Sequence, residues 1–163
     1  MTAAAVVADG KPCELCALVA AHAAGGDAPE LVWRDEQLSV VLVDEAGYPG
    51  FVRVIWHAHV KELTDLARAA RLHVMGVVWL VEQAQREVMA PHKVNLASFG
   101  NMTPHVHWHV IPRYEDDAHF PNPTWGAVQR TASPASLAAR TALLPALRAA
   151  LRDKLDHQAG AVS

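Results

Sequence analysis

The stretch His105-Val106-His107-Trp108-His109-Val110-Ile111 decides how the chain is read. Side chains on a β-strand alternate between its two faces, so Val106, Trp108 and Val110 fall on one side and His105, His107 and His109 on the other. The first side is a core face. The second carries three imidazoles spaced by roughly 7 Å, twice the rise of about 3.3 Å per residue. Three such rings disfavour being charged together, which drives at least one to the neutral form near pH 7, and neutral imidazole is both a nucleophile and a metal ligand. The alternative is a solvated strand face that happens to be rich in histidine. Against it, histidine is not a strong strand former.

Working outward, Ser98-Phe99-Gly100-Asn101-Met102-Thr103 joins this strand to a preceding one, Val94 to Phe99. Glycine lets a backbone approach a ligand closely and can aim successive N–H groups at an anion. Alone this is an ordinary hairpin turn; beside a row of imidazoles it is a layout for attack at phosphorus. Farther upstream, three strands near 30–34, 38–44 and 50–56 are separated by turn residues and read as a meander. A helical turn is expected at 62–68 and a longer helix at 69–89, with Leu72, Met75, Val78, Trp79 and Val81 on its apolar face and Pro91 ending it. Downstream, Pro112 is expected to close the histidine strand. A Pro- and Asp-rich loop (112–124) follows, then a helical stretch from Ser136 to Leu155 that Pro145 kinks or divides. The pattern predicts an α+β domain: an antiparallel sheet of about five strands, a long helix and a C-terminal helical extension. It divides into a flexible 1–10, a domain over 11–125 and a mainly helical 126–163; the first ten residues and the last seven, His157 to Ser163, are expected to fray.

Composition narrows the function. The chain has 163 residues, 52% hydrophobic and 19% charged, enough for one domain with a real core. A formal charge of −3 gives no footprint for gripping a nucleic acid polymer. No run approaches the roughly 20 apolar residues that span a bilayer, and no basic segment with an apolar core opens the chain, so a cytoplasmic protein is expected. No phosphate-binding P-loop or dinucleotide fingerprint occurs. Two cysteines cannot staple a chain of this length. They form Cys13-Glu14-Leu15-Cys16, which can occupy one edge of a tetrahedral zinc site if two further ligands exist; free buried thiols are the alternative. Of the 10 histidines, His22, His73, His92, His119 and His157 read as solvated or incidental rather than functional, and His57 as exposed near a strand end. Trp125 and the segment His119 to Pro123 put aromatics and prolines in the loop after the histidine strand, where they are placed to close over a ligand.

Residues 105–111 match the His-φ-His-φ-His-φ-φ pattern (φ apolar) of the histidine triad (HIT) superfamily of nucleotide hydrolases and transferases, which the chain resembles from about Cys13 to Tyr114. Tyr48-Pro49-Gly50-Phe51, Val54-Ile55-Trp56 and Asn95 to Asn101 resemble the small bacterial diadenosine tetraphosphate hydrolase-like members. The resemblance implies that His107 is the nucleophile toward the α-phosphate of a nucleotide or dinucleoside polyphosphate, forming a covalent nucleotidyl-histidine that water hydrolyses. It implies that His109 contacts α-phosphate oxygens and that Gly100, Asn101, Met102 and Thr103 complete the phosphate cradle. It places Asn95 near a supporting asparagine and Asp44 at the ribose hydroxyls, the alternative for Asp44 being an ordinary turn aspartate. Zinc held by Cys13, Cys16, His59 and His105 is a structural cofactor that some members carry, and a homodimer is implied.

Two departures stand out. Where members commonly carry a fourth histidine, this chain has Phe51, and where phosphoramidase members carry a serine, it has Met102. Asn101 stands where most members have glutamine. A zinc-stabilised nucleotide-binding module with little turnover and an adenosine phosphoramidase are the rival readings. A metallohydrolase using all three triad histidines is disfavoured, because positions i, i+2 and i+4 of one strand span roughly 13 Å.

Overall fold

The computed structural model describes residues 12–25 and 28–160. The stretch 1–10 expected to be flexible lies outside them, as do the last three residues. Helix α1 (Glu14–Ala23) comes first, followed by strands β1 (Leu31–Arg34), β2 (Leu38–Leu42) and β3 (Val52–Trp56) in an antiparallel meander. Asp35 makes the first turn: its Oδ1 accepts from the backbone N–H groups of Gln37 and Leu38 at 2.7 and 2.8 Å. A single 3-10 turn (Leu63–Asp65) leads into α2 (Arg68–Met89), and Ala90 leaves that helix in the left-handed region just before Pro91. Strands β4 (Lys93–Ala97) and β5 (His107–Arg113) complete the sheet. β5 inserts between β3 and β4, giving the order β1-β2-β3-β5-β4 with every neighbouring pair antiparallel. The expected α+β class and five-stranded antiparallel sheet are therefore found.

Helices α2 and α4 (Leu144–Gly160) cover one face of this sheet. The buried stripe of α2 is Val74, Val77, Val78, Val81, Ala84, Gln85 and Met89, spaced three and four apart. Leu72 and Trp79, expected on that face, are instead 53% and 57% exposed. They are one heptad apart and lie together on a different side of the helix. Gln85 pins α2 to the sheet, donating to the carbonyls of Gly50 and Val110 at 2.8 and 2.9 Å. Leu147, Leu151 and Leu155 of α4 join the same core, so the C-terminal extension packs on its own chain. Pro145 falls in the first turn of α4, after the break from α3 (Pro134–Thr141), where its missing N–H costs nothing.

Three local expectations are corrected. The last seven residues were expected to fray from His157, but α4 continues through Gly160, because a helix end needs no apolar period once its backbone bonds are in place. Pro112 does not close the histidine strand: β5 runs to Arg113, and Pro112 pairs with Val94. The Val106 carbonyl accepts from Trp56 N–H, so the even-numbered residues of β5 aim their main chain at β3. The nitrogen of Pro112 faces that side beyond the last rung, Val52 to Val110, where no donor is needed. Helix α1 was not anticipated at all. It packs Leu15 against Val41 and Ile55 on the face of the sheet opposite α2, the face that carries the histidines.

Candidate active site and metal centre

His107 and His109 project from β5, while His105 sits just before it. All three are buried, which removes the solvated-face alternative. The His107 and His109 rings lie 4.8 Å apart between centroids, edge to face. Phe51, Phe99 and Trp125 enclose His109, with ring centroids 5.4, 5.8 and 5.7 Å from it. A carbonyl oxygen can only accept, so the imidazole nitrogen bonded to it carries the proton. His105 Nε2–H donates to the Trp56 carbonyl at 2.6 Å, which leaves the Nδ1 lone pair free. His107 Nδ1–H donates to the His105 carbonyl at 2.6 Å, which leaves the Nε2 lone pair free. Burial lowers the pKa of both rings, and for His109 burial, then the charges of His107 and Arg53, bring it down to about 3. The imidazole row is thus neutral near pH 7, as a nucleophile or ligand must be.

The lone pair of His105 Nδ1 faces two sulfurs, Cys13 Sγ and Cys16 Sγ, each at 3.5 Å. His59 Nδ1 lies 3.3 Å from Cys16 Sγ, and the four ligand atoms are all within 4.8 Å of one another. With Zn–S near 2.3 Å and Zn–N near 2.0–2.1 Å, the S···N edge of a tetrahedral site is about 3.6 Å. The donor set therefore fits zinc in both chemistry and size. Burial, then the neighbouring Cys13 sulfur, push the Cys16 thiol up to about 11, so a bound cation would be needed to make it a thiolate. Cys13 caps the N-terminus of α1, and a helical turn carries Cys16 round to the same side.

The comparisons with known proteins bear on the same residues. The sequence model of the HIT domain matches residues 27–116, more than half of the chain. The chain belongs to the HIT domain family. An AP-4-A phosphorylase of Mycobacterium tuberculosis is 30% identical over 78 residues, 44% of this chain and 40% of that protein, so the chain spans about two fifths of that relative's length. A histidine triad protein from Bradyrhizobium japonicum has a similar structure, with a TM-score of 0.61, 26% identity, and 77% of this chain and 91% of that one covered. A Zn-bound histidine triad family protein from Mycobacterium smegmatis shares the fold, with a TM-score of 0.59, 24% identity, and 90% and 96% covered. Cys13 and Cys16 lie outside the residues that the HIT domain matches.

The remaining predicted residues of the HIT domain are distributed unevenly. Asn95, on β4, lines a cavity of about 550 Å³ with Phe99, Ile111, Thr124 and Trp125. Its Oδ1 is already engaged, accepting from Arg113 Nη1 at 2.7 Å. Gly100 and Asn101 line a separate cavity of about 840 Å³ with His59, His105 and Trp108. Thr103 contributes its carbonyl to His105 N–H at 2.8 Å, while Met102 points outward, 92% exposed. Asp44 is exposed in the loop after β2, which ends at Leu42 rather than the expected 44.

Several of the other histidines are not simply solvated, because each finds an acid or hydroxyl elsewhere in the chain. His22 is buried against Glu30 at 2.8 Å, His73 meets Asp35 at 2.6 Å, and His119 bonds the Tyr48 hydroxyl. His57 bonds Ser39 Oγ at 2.9 Å. Sequence reasoning also missed the device that holds the loop after β5. Buried Arg113 donates to both carboxylate oxygens of buried Asp117 and to the Asn122 carbonyl. Asp117 in turn accepts from the N–H groups of Tyr114, His119 and Phe120. This strap brings Trp125 over His109 with φ +65°, a left-handed conformation that a bulky residue rarely adopts. An arginine four residues before an aspartate was its sole sequence cue.

Proposed function

We propose that this HIT protein is a nucleotide hydrolase or nucleotidyl transferase that acts at the α-phosphate of dinucleoside polyphosphates through a covalent nucleotidyl-histidine on His107. The observation that carries the reading is the hydrogen bond from His107 Nδ1–H to the His105 carbonyl, which fixes the tautomer and leaves Nε2 as the lone pair. Nε2 attacks the α-phosphorus, the bond from phosphorus to the bridging oxygen breaks, and the remaining nucleotide leaves with that electron pair. The imidazole becomes cationic as the N–P bond forms, and the His105 carbonyl stabilises that charge. Water, or an inorganic phosphate, then attacks the same phosphorus, returns the electron pair to Nε2 and releases the mononucleotide. His109, neutral at the same pH, is the residue we assign to the phosphate oxygens, with Gly100, Asn101 and Thr103 as candidates for the cradle and Asp44 and Asn95 for the nucleoside. Trp125 and Phe99, 6.3 Å apart, offer aromatic surface to a base.

Zinc held by Cys13, Cys16, His59 and His105 would cross-link α1, the segment after β3 and the start of β5, a purely structural service. It commits His105 to the fold and leaves His107 and His109 for chemistry. The exposed pair Leu72 and Trp79 on α2 supports the homodimer reading. Among the described residues no helix is long and apolar enough to cross a membrane.

A second reading, a nucleotide-binding module with little turnover, is favoured by Phe51 in place of a hydrogen-bonding histidine beside His109, whose Nδ1 is buried without a partner. Purified protein and its His107→Ala variant are incubated with diadenosine tetraphosphate, with and without inorganic phosphate, and with an adenosine phosphoramidate, following mononucleotide release. Release by the parent alone supports the nucleophile, and AMP against ADP identifies the acceptor. Binding of nucleotide without release of any product puts the module reading first.

A further inference from the structure

Arg53 has no part in that chemistry, yet it stands on the histidine face. It is the direct cross-strand neighbour of His109, and its guanidinium carbon lies 5.6 Å from the centre of the Phe51 ring, itself beside His109. Its Nε is buried with no hydrogen-bond partner. Glu14 and Glu45 act on it only through space, and no carboxylate among the described residues pairs with it. Its charge is felt at both His107 and His109, where it opposes protonation. A half-buried guanidinium without a counter-ion is a cost to the free protein, and an anion that docks beside it recovers part of that cost. The planar fork matches phosphate oxygens in a way that no imidazole does. Phe51 precedes β3 by one residue, and Arg53 is the next residue on the same face.

We propose that Arg53 binds a phosphate oxyanion of the nucleotide held over His107 and His109, and that its unpaired charge makes the site select nucleoside phosphates over uncharged nucleosides. The inference rests on the nucleotide reading above. Phe51 orients the guanidinium through its ring face while adding no competing hydrogen bond.

Titration calorimetry with AMP and with adenosine, on the full chain and on Arg53→Met, Arg53→Gln and Arg53→Lys, tests it alongside ligand-free thermal melts. The parent should prefer AMP. Arg53→Met and Arg53→Gln should lose about 10- to 100-fold in AMP affinity, the worth of one charge-assisted contact, with adenosine unchanged. Arg53→Lys should recover part of the loss, and raised salt should weaken AMP binding to the parent more than to Arg53→Met. Without ligand, Arg53→Met should melt at or above the parent, because an uncompensated charge has been removed; a structural arginine would lower the melt. AMP affinity in both neutral variants within about twofold of the parent overturns the inference alone, as does a ligand-free melt well below the parent in both. If the parent binds neither ligand, the nucleotide reading fails and takes the inference with it.

Discussion

Asp117→Ala should cost the fold about 3–5 kcal/mol, the range for removing one partner of a buried ion pair. The carboxylate has five partners: Arg113 Nε at 2.7 Å and Nη2 at 2.9 Å, and the N–H groups of Tyr114 at 3.2 Å, His119 at 2.9 Å and Phe120 at 2.7 Å. Both charged side chains are only 2% exposed, so water cannot replace the lost acceptor at Arg113. For a chain of this length each kcal/mol moves the melting temperature by about 2–4 °C, so the variant should melt roughly 6–20 °C below the parent. Asp117→Asn keeps one acceptor for the backbone and should lose less. Burial alone would push the Asp117 carboxyl up; Arg113 and the three N–H groups more than offset that and hold it below the ordinary carboxylate value. A folded-state pKa below the unfolded one means stabilisation that is complete above the unfolded value and is lost as pH falls through the folded one. Below about pH 4 the parent should therefore lose stability more steeply than Asp117→Asn. Calorimetric melts at neutral and acid pH measure both effects. A melt of Asp117→Ala within about 2 °C of the parent, a loss under about 1 kcal/mol, would refute the assignment of the strap to this ion pair.

Gly50, at φ +88°, has no room for a methyl group, since a Cβ there would overlap the Met89 thioether. Gly50→Ala should lose about 1–3 kcal/mol in urea unfolding, and Met89→Ala should rescue it only in part, because the backbone strain remains. The folded-state pKa of His109 is about 3 against 6.5 for a free imidazole, so between those values the unfolded chain binds the extra proton. Stability should fall as pH drops through that window, by up to about 1.4 kcal/mol per unit from this residue, and His109→Gln should flatten the slope; an unchanged slope counts against a buried neutral ring. Purified protein should contain about one zinc per chain, which Cys16→Ser should lose and His107→Ala should keep, by elemental analysis. Loss of metal from His107→Ala would return the metallohydrolase reading.

Those features of the fold that depend on local alternation were legible in the sequence. The period of two in residues 105–111 placed Val106 and Val110 in the core and the imidazoles opposite; the grouping of Cys13, Cys16, His59 and His105, which do converge, came instead from the family resemblance. What escaped depends on neighbours that sequence does not name. Helix α1 is apolar on nearly every side, so it has no amphipathic period to betray it. Pro112 could be placed inside a strand only once β3 was known to begin, at Val52, opposite Val110. Leu72 and Trp79 are as apolar as the α2 residues that are buried, and only the position of the sheet decides between the two stripes. His73 and Asp35 are 38 residues apart, and a histidine meeting an acid at that distance leaves no local signature.

The two neighbouring histidines of the triad face different partners for the same kind of reason. His105 and His107 are chemically identical and two residues apart, and both donate one ring proton to a main-chain carbonyl. They differ in which nitrogen donates: Nε2 of His105 to Trp56, Nδ1 of His107 to His105. Each bond leaves the opposite nitrogen with its lone pair, and the two lone pairs face different partners. That of His105 meets the sulfurs of Cys13 and Cys16, while that of His107 is left for the site beside His109. The His105 backbone supplies the acceptor that sets the His107 tautomer, so anchoring His105 through its own ring also holds the His107 imidazole in place. A metal bound at His105 Nδ1 would therefore steady the His107 ring without touching it.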